Sequence, residues 1–311
     1  MNQIKEGYKT SEKPEKFFTV VRKENSETKF CLFIVIEMLR LIFWIWYLAI
    51  IIVGVTLTLL FVEVDYTKIA ISLAGSVNIC AFSDYPPSTL VLPSMYALFP
   101  VLVFLYSIAS VLRAWIAMEE NKISMVSLAF YSSAFIYFFI SSLIFATIFA
   151  VQPDSTKLPQ SFIIHTLPFT NVVLSMAFLQ IAVAWFNNKV AWKNLPGRML
   201  HLSNYIVTVT MTTTSFVKIF QHINAFGGLV MGEQPGEVLE NGWMVSVSNK
   251  KFGMIGQIND AIWMASAIIV PLCQSGYLTW KKFDTHGLIL TIEDNRTAME
   301  VYKPLISALD E

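Results

Sequence analysis

The sequence predicts an all-α, polytopic membrane protein with six transmembrane helices and with the N-terminus and C-terminus both cytosolic. Of the 311 residues, 55% are hydrophobic and only 14% are charged, whereas about 25% are charged in a typical soluble domain. The apolar residues form six long continuous stretches, and the Lys/Arg content of the segments between them alternates between high and low. Backbone polar groups must be paired in lipid, so continuous runs of about twenty apolar residues predict helices.

The N-terminal segment, residues 1–29, is polar and is predicted to be a cytosolic arm. The apolar run that follows, residues 30–62, is too long for one span. Glu37 and Arg40 lie three residues apart in its first part, on one helical face. We therefore expect residues 30–40 to form an interfacial amphipathic entry and residues 41–62 to form the first span.

The rest of the chain continues the six-helix transmembrane domain, residues 41–280, and ends in a cytosolic tail, residues 281–311. The later spans are expected at 94–115, 125–151, 161–186, 202–226 and 257–280. The arm, the tail and the loops around 113–122 and 187–201 are richer in Lys and Arg than the loops 63–93, 152–160 and 229–256. Basic residues are enriched on the cytosolic side, so this alternation predicts that both ends lie inside.

Several function classes are disfavoured by what the sequence lacks. It carries no phosphate-binding loop, no nucleophile-elbow motif and no zinc-protease motif, so we expect no enzyme, no cofactor and no metal. The formal net charge is +0, which gives no basic footprint for nucleic acid. The three cysteines are scattered and predict no structural disulfide.

Four ionisable residues are predicted near the outer ends of their spans: His165, Lys218, His222 and Asp260. Charged groups are costly in lipid, so they often mark functional sites. One interpretation is an outer polar pocket for a lipid headgroup, with Lys218 paired to Asp260 and the histidines at the rim. The alternative is that the long side chains snorkel to the interface. A short acid such as Asp260 cannot snorkel far.

The fifth span is rich in hydroxyl side chains: Thr208, Thr210, Thr212, Thr213, Thr214 and Ser215. Thr212 and Thr213 are expected to make helix–helix polar contacts, as are Asn171 and Gln180 in the fourth span. The alternative for the threonine-rich helix is the lining of a water-filled pore.

Short segments of the chain resemble the DRAM / Sfk / Frag-type six-transmembrane family, which includes damage-regulated autophagy modulator and tentonin-like proteins. They are Ile164-His165-Thr166, Phe178-Leu179-Gln180, Ile71-Ser72-Leu73-Ala74-Gly75 and His286-Gly287-Leu288. The resemblance implies a non-enzymatic membrane protein tied to lipid organisation, in a plasma, endolysosomal or endoplasmic reticulum membrane.

The first functional hypothesis is therefore an accessory or scaffold protein that organises lipids or supports a lipid-handling complex, such as one for lipid transfer, phosphoinositide phosphorylation or autophagy. Its expected partners are membrane lipids and proteins that dock on the cytosolic segments or on helix faces. Two alternatives remain. One is a small channel or transporter lined by the threonine-rich helix. The other is a membrane-embedded lipid-modifying enzyme that uses His165 and Asp260 as acid and base.

Overall fold

The computed structural model describes residues 18–22, 28–34, 36–62, 86–150, 160–193, 198–230, 258–280 and 288–293. For the strands and for residues 160–163, 166 and 221–230, only the backbone is described. The described segments fall into two compact units. One is a small sheet drawn from both ends of the chain, and the other is a helical unit formed by the residues in between.

The helical unit contains seven described helices. They are α1 (Ile36–Phe61), α2 (Ser88–Tyr96), α3 (Leu98–Glu119), α4 (Met125–Phe145), α5 (Gln160–Phe186), α6 (Arg198–Val230) and α7 (Ile258–Trp280). A 3-10 turn, Ala146–Phe149, extends α4, and a π-helical turn, Asn187–Ala191, extends α5. A second π-helical turn, Ala265–Ile269, lies within α7.

Five helical segments are long and apolar enough to cross a membrane, so the chain is an integral membrane protein. They are Ile36–Phe61, Ser88–Glu119, Met125–Phe149, Leu167–Ala191 and Ile258–Trp280. The second of these joins α2 and α3. The predicted helical, multi-pass architecture is confirmed to this extent. Helix α6, which covers the predicted fifth span, is 33 residues long but less apolar and is not one of the five.

Local sequence signals set the helix boundaries. Pro93 lies inside α2 and cannot donate a backbone hydrogen bond, and the helix is interrupted four residues later, at Ala97. The turn between α3 and α4 contains Asn121 with φ 57°, a left-handed conformation that asparagine tolerates well after a helix. Ser124 caps α4 by accepting a hydrogen bond from the Ser127 backbone N–H at 3.2 Å.

The helices pack in a ring. Helix α1 contacts α2, α3 and α7; α3 contacts α4; α4 contacts α5; α5 contacts α6; and α6 contacts the π-helical turn of α7. Phe43 of α1 lies at the centre with no exposed surface. Its ring stacks on those of Phe99 and Tyr106, with centroid distances of 5.2 and 6.0 Å.

A glycine allows α1 and α2 to approach closely. A Cβ atom at Gly54 would lie 2.9 Å from Cδ1 of Leu92. Beside it, the Ser88 hydroxyl donates to the Gly54 carbonyl oxygen at 3.0 Å and is 2.8 Å from the Thr58 hydroxyl. Small residues at helix contacts in membranes have this effect because they let two backbones come together.

Segments near both ends of the chain form strands, in contrast to the all-α prediction. Strand β1 (Phe18–Arg22) pairs antiparallel with β2 (Thr28–Ile34), with Val20 opposite Phe30. Strand β2 also pairs antiparallel with β3 (Leu288–Glu293), with Leu32 opposite Leu290. The sheet order is β1-β2-β3. These short runs are rich in β-branched and aromatic residues, which favour strands, so the predicted arm and tail are not uniformly irregular.

The predicted interfacial entry at residues 30–40 needs correction. Its first residues belong to β2, and α1 begins at Ile36. Glu37 and Arg40 are each only 2% exposed, so they face the interior of the helical unit and not the membrane interface. The local spacing of this charged pair predicts an interface, because the partners that surround the pair come from distant helices and form no local pattern.

Candidate functional site

A cavity lies inside the helical unit, between α1, α2, the end of α4, α5, α6 and α7. Its volume is about 60 Å³, enough for a few water molecules or for part of a larger ligand. The described lining residues are mostly aliphatic and aromatic: Tyr47, Ile50, Ile51, Gly54, Val55, Leu92, Tyr96, Phe145, Ile148, Phe149, Phe169, Lys218, Asp260, Trp263 and Met264. Lys218 and Asp260 are the two charged residues in that lining.

Lys218 and Asp260 form an ion pair across α6 and α7. Lys218 Nζ donates to Asp260 Oδ1 at 2.5 Å. The Lys218 side chain is 4% exposed and that of Asp260 is 18% exposed. Charges taken out of water need close partners, because desolvation otherwise costs several kcal/mol per ion. The close contact between Lys218 and Asp260 meets this requirement, and the two opposite charges keep the cavity wall electrically neutral.

Hydrogen bonds between α6 and α7 hold the pair in place. The Asn259 side-chain N–H donates to the Thr214 carbonyl oxygen at 3.2 Å, and Trp263 Nε1 donates to the Ser215 hydroxyl at 3.0 Å. Asn259 precedes Asp260 by one residue, and Trp263 follows it by three. These contacts bracket the carboxylate along α7 and fix the register of the two helices beside Lys218.

An aromatic ring completes the surroundings of the ammonium group. Lys218 Nζ lies 5.1 Å from the centre of the Phe169 ring, which is within the range of a cation–π contact. The Phe169 ring in turn lies 6.0 Å from that of Phe145 and 6.4 Å from that of Trp263, measured between centroids. The ammonium group is therefore held between a carboxylate and an apolar wall.

The structure brings together two of the four predicted pocket residues. Lys218 and Asp260 are in contact, as described above. His165 is 5% exposed in α5 and is not a lining residue of the cavity. The side chain of His222 lies outside the described residues, although its backbone belongs to α6. Sequence position alone could not show which of the four side chains line the cavity.

The four residues predicted to make helix–helix polar contacts differ in their hydrogen bonds and in their exposure. Asn171 bonds to α4 twice: its carbonyl oxygen accepts from the Tyr137 hydroxyl at 2.9 Å, and its N–H donates to the Ser141 hydroxyl at 2.9 Å. Gln180 is 6% exposed, and its Nε2 has no hydrogen-bond partner. The Thr212 hydroxyl is buried without a partner, whereas Thr213 is exposed.

Replacing Asn171 with leucine tests the α4–α5 contact. Both hydrogen bonds would be lost, and the Ser141 hydroxyl would lose its donor, so we expect a loss of about 1 kcal/mol, since such bonds contribute about 0.6–1.7 kcal/mol in membranes. The measurement is thermal unfolding of the purified protein in detergent. Leu174→Ala, at a 41% exposed position on the same helix, serves as the control. An equal effect at both positions would contradict the prediction.

A second polar cluster lies at the opposite end of the helices and contains residues that the sequence analysis did not propose as a site. Glu37 forms ion pairs with Arg40 at 3.7 Å and with Arg113 at 3.8 Å. Trp192 Nε1 donates to Glu37 at 3.4 Å. Arg40 donates to the Gln274 carbonyl oxygen at 3.3 Å. The sequence feature that could have pointed to this cluster is the rarity of charged residues within apolar stretches.

Comparison with known proteins adds no assignment: no protein-family model, no curated protein and no solved structure matches this chain. Among the described residues, no group of three or more His, Cys, Asp or Glu side chains is placed to hold a metal ion. The functional proposal therefore depends on the cavity and its ion pair.

Proposed function

We propose that the protein is a non-enzymatic membrane protein that holds part of a membrane lipid in this cavity and supports a lipid-handling complex. The observation that carries the proposal is the cavity lining, which is mostly aliphatic and aromatic and contains one largely buried ion pair. Ligand sites commonly combine an apolar wall with a few placed polar groups. An amphiphile matches this pattern, with an acyl chain against the wall and a polar headgroup near Lys218 and Asp260.

The charges of the pair favour a zwitterionic headgroup. The pair has no net charge, so an anionic lipid would leave a negative charge unpaired, whereas a zwitterion brings one charge of each sign. A headgroup phosphate would exchange for the carboxylate at Lys218, and its ammonium group would pair with Asp260. Phosphatidylcholine and phosphatidylethanolamine are the headgroup classes that carry these two charges.

The proposal includes six spans with both termini in the cytosol. Helix α6 packs against α5 and contacts α7, and both of these are among the helices that are long and apolar enough to cross a membrane. At 1.5 Å per residue, its 33 residues extend about 50 Å, which exceeds the hydrocarbon thickness of about 30 Å. The less apolar side chains of α6 would be tolerated because several face its neighbours.

The two other hypotheses receive less support from the geometry. In the described part of α6, the hydroxyls of Thr208 and Thr214 donate to carbonyl oxygens of their own helix, at 2.7 and 2.8 Å, and no threonine lines the cavity. This arrangement does not favour a pore. His165 lies outside the lining that contains Asp260, which does not favour an acid–base pair.

Two neighbouring residues on α1 provide a matched test of lipid binding. Ile51 lines the cavity, whereas Ile52 is 54% exposed and does not. Ile51→Trp should fill the cavity and reduce photo-crosslinking to a phosphatidylcholine with a diazirine in its acyl chain by about tenfold, which corresponds to about 1.4 kcal/mol of binding. Ile52→Trp should leave the reaction unchanged. Equal crosslinking in both variants would refute lipid binding in the cavity.

The complex is tested separately, by affinity purification from native membranes. The wild-type protein should co-purify with lipid-handling proteins, and a variant that lacks residues 294–311 should lose them if the tail is the docking segment. If the Ile51→Trp variant loses its lipid but keeps these partners, the two parts of the proposal are independent.

A further inference from the structure

The second polar cluster carries more positive than negative charge. It contains two arginines, Arg40 and Arg113, and one glutamate, Glu37, which are 2%, 6% and 2% exposed. The other described acidic residues of the helical unit are Glu119, Glu120 and Asp260. The first two are exposed on the α3–α4 turn, and Asp260 is paired with Lys218. Within the described residues, the cluster thus holds one buried positive charge in excess.

The cluster also has more unused donors than acceptors. Arg40 Nη1, Arg113 Nε and Arg113 Nη1 are buried and have no hydrogen-bond partner. The unpaired carboxylate acceptor is Oε2 of Glu37, and the neutral hydroxyls of Ser110 and Tyr131 are also buried without a partner. Both ion pairs to Glu37, at 3.7 and 3.8 Å, are longer than a hydrogen bond. A buried donor without a partner costs about 1–3 kcal/mol, and more when it is charged, so the cluster is suited to another acceptor.

A small cavity borders this cluster. It is lined by Arg40 and by Gln180, whose Nε2 has no partner, and otherwise by Trp44, Tyr106, Met176, Leu179, Val183, Met211 and Ala267. Its volume is about 20 Å³, which suits a ligand about as large as one or two water molecules. The cavity is too small for a lipid headgroup, which would carry a phosphate and its substituents.

We propose that this cavity binds a small monovalent anion, with chloride as the physiological candidate. The anion would accept hydrogen bonds from Arg40 Nη1 and Gln180 Nε2, and the nearby charge of Arg113 would add to the attraction. A halide accepts hydrogen bonds and donates none, which matches the surplus of N–H groups. Its single negative charge balances the surplus positive charge of the triad. This site is independent of the lipid cavity.

The decisive experiment measures thermal unfolding of the full-length protein in detergent at constant ionic strength, with chloride replaced stepwise by gluconate. Gluconate is too large for the cavity. In the wild type, chloride and bromide should raise the unfolding midpoint in a saturable way, because a ligand that binds only the folded state stabilises it. A midpoint that does not depend on the anion would mean that the cavity holds only water, and it would overturn the proposal.

Variants at Arg113 separate charge from packing. Arg113→Gln leaves Glu37 and Arg40 balanced, so we expect the affinity for chloride to fall by about tenfold or more. Arg113→Lys keeps the charge and should retain the response. Lys122→Gln, at an exposed ion pair with Glu120, controls for general salt effects. An unchanged chloride response in Arg113→Gln would refute the role of the surplus charge.

A direct measurement covers the case in which a variant does not fold. Chloride-35 magnetic resonance of the wild-type protein should show line broadening that bromide competes away and that gluconate does not. Broadening that bromide cannot displace would indicate nonspecific surface contact and would contradict a discrete site.

Discussion

Asp260→Asn should destabilise the protein by about 3–5 kcal/mol, the range found when one member of a buried ion pair is removed. The substitution keeps the size of the side chain but removes its charge. Lys218 is only 4% exposed, so its ammonium group would remain buried with the Phe169 ring and without its carboxylate. The measurement is the unfolding midpoint in detergent, together with the yield of monodisperse protein.

A double variant separates the pair from the helix contact. In Lys218→Met/Asp260→Asn neither charge is left unpaired, so we expect most of the stability to return, because apolar replacements of a buried pair are often neutral or stabilising. The double variant should fold but lose its preference for zwitterionic lipids. A double variant as unstable as the sum of the single variants would show that the pair is not an energetic unit.

An exposed pair provides the matched control. Lys122 and Glu120 also approach to 2.5 Å, but their side chains are 48% and 51% exposed. Glu120→Gln should therefore change stability by at most about 1 kcal/mol, as is usual for ion pairs in contact with water. A comparable loss at both sites would mean that burial does not determine the contribution of Asp260.

Glu37→Gln should also cost about 3–5 kcal/mol, because it leaves two arginines buried without a counter-charge. The glutamine carbonyl oxygen can still accept the hydrogen bond from Trp192 Nε1, so the variant tests the charge more than the hydrogen bond. We expect a large decrease in folded protein during size-exclusion chromatography. Chloride bound beside Arg40 should restore more stability to this variant than to the wild type.

Glu119→Gln is the control for this prediction. Glu119 is exposed at the end of α3 and accepts a hydrogen bond from Trp115 Nε1 at 3.0 Å. Its substitution should alter stability by less than about 0.5 kcal/mol, as is usual for surface positions. Normal folding and stability of Glu37→Gln would show that Arg40 and Arg113 do not depend on the carboxylate.

Part of the candidate site could be anticipated from the sequence. Lys218 and Asp260 stand out because charged residues are rare within apolar stretches, and the predicted order of the spans puts both near one end of the helices. Their contact at 2.5 Å also requires a particular rotation of α6 and α7 about their axes. That rotation depends on interhelical bonds such as Trp263 to Ser215, which no local pattern encodes.

The strands show a different limit on what can be predicted from the sequence. Val20, Phe30 and Ile292 belong to segments of suitable β-propensity, but β2 pairs with a strand more than 250 residues away in the sequence. Short strands gain stability through pairing, and the partner of a strand cannot be identified from its own residues. The amphipathic spacing of Glu37 and Arg40 was ambiguous for the same reason, because both an interface and a polar interior satisfy it.

Segment length and hydropathy are sufficient to place a helix in lipid, so the helical membrane character of the chain can be read from its residues alone. The sequence also indicates which residues are unusual there, since ionisable groups are costly in hydrocarbon. Only the tertiary structure decided which of these residues meet. It brought Lys218 to Asp260 in a mostly apolar cavity, left His165 outside the lining of that cavity, and enclosed Glu37 between two arginines. The physical reason is that burial and pairing depend on how helices rotate and pack against one another, and these contacts join residues far apart in the chain.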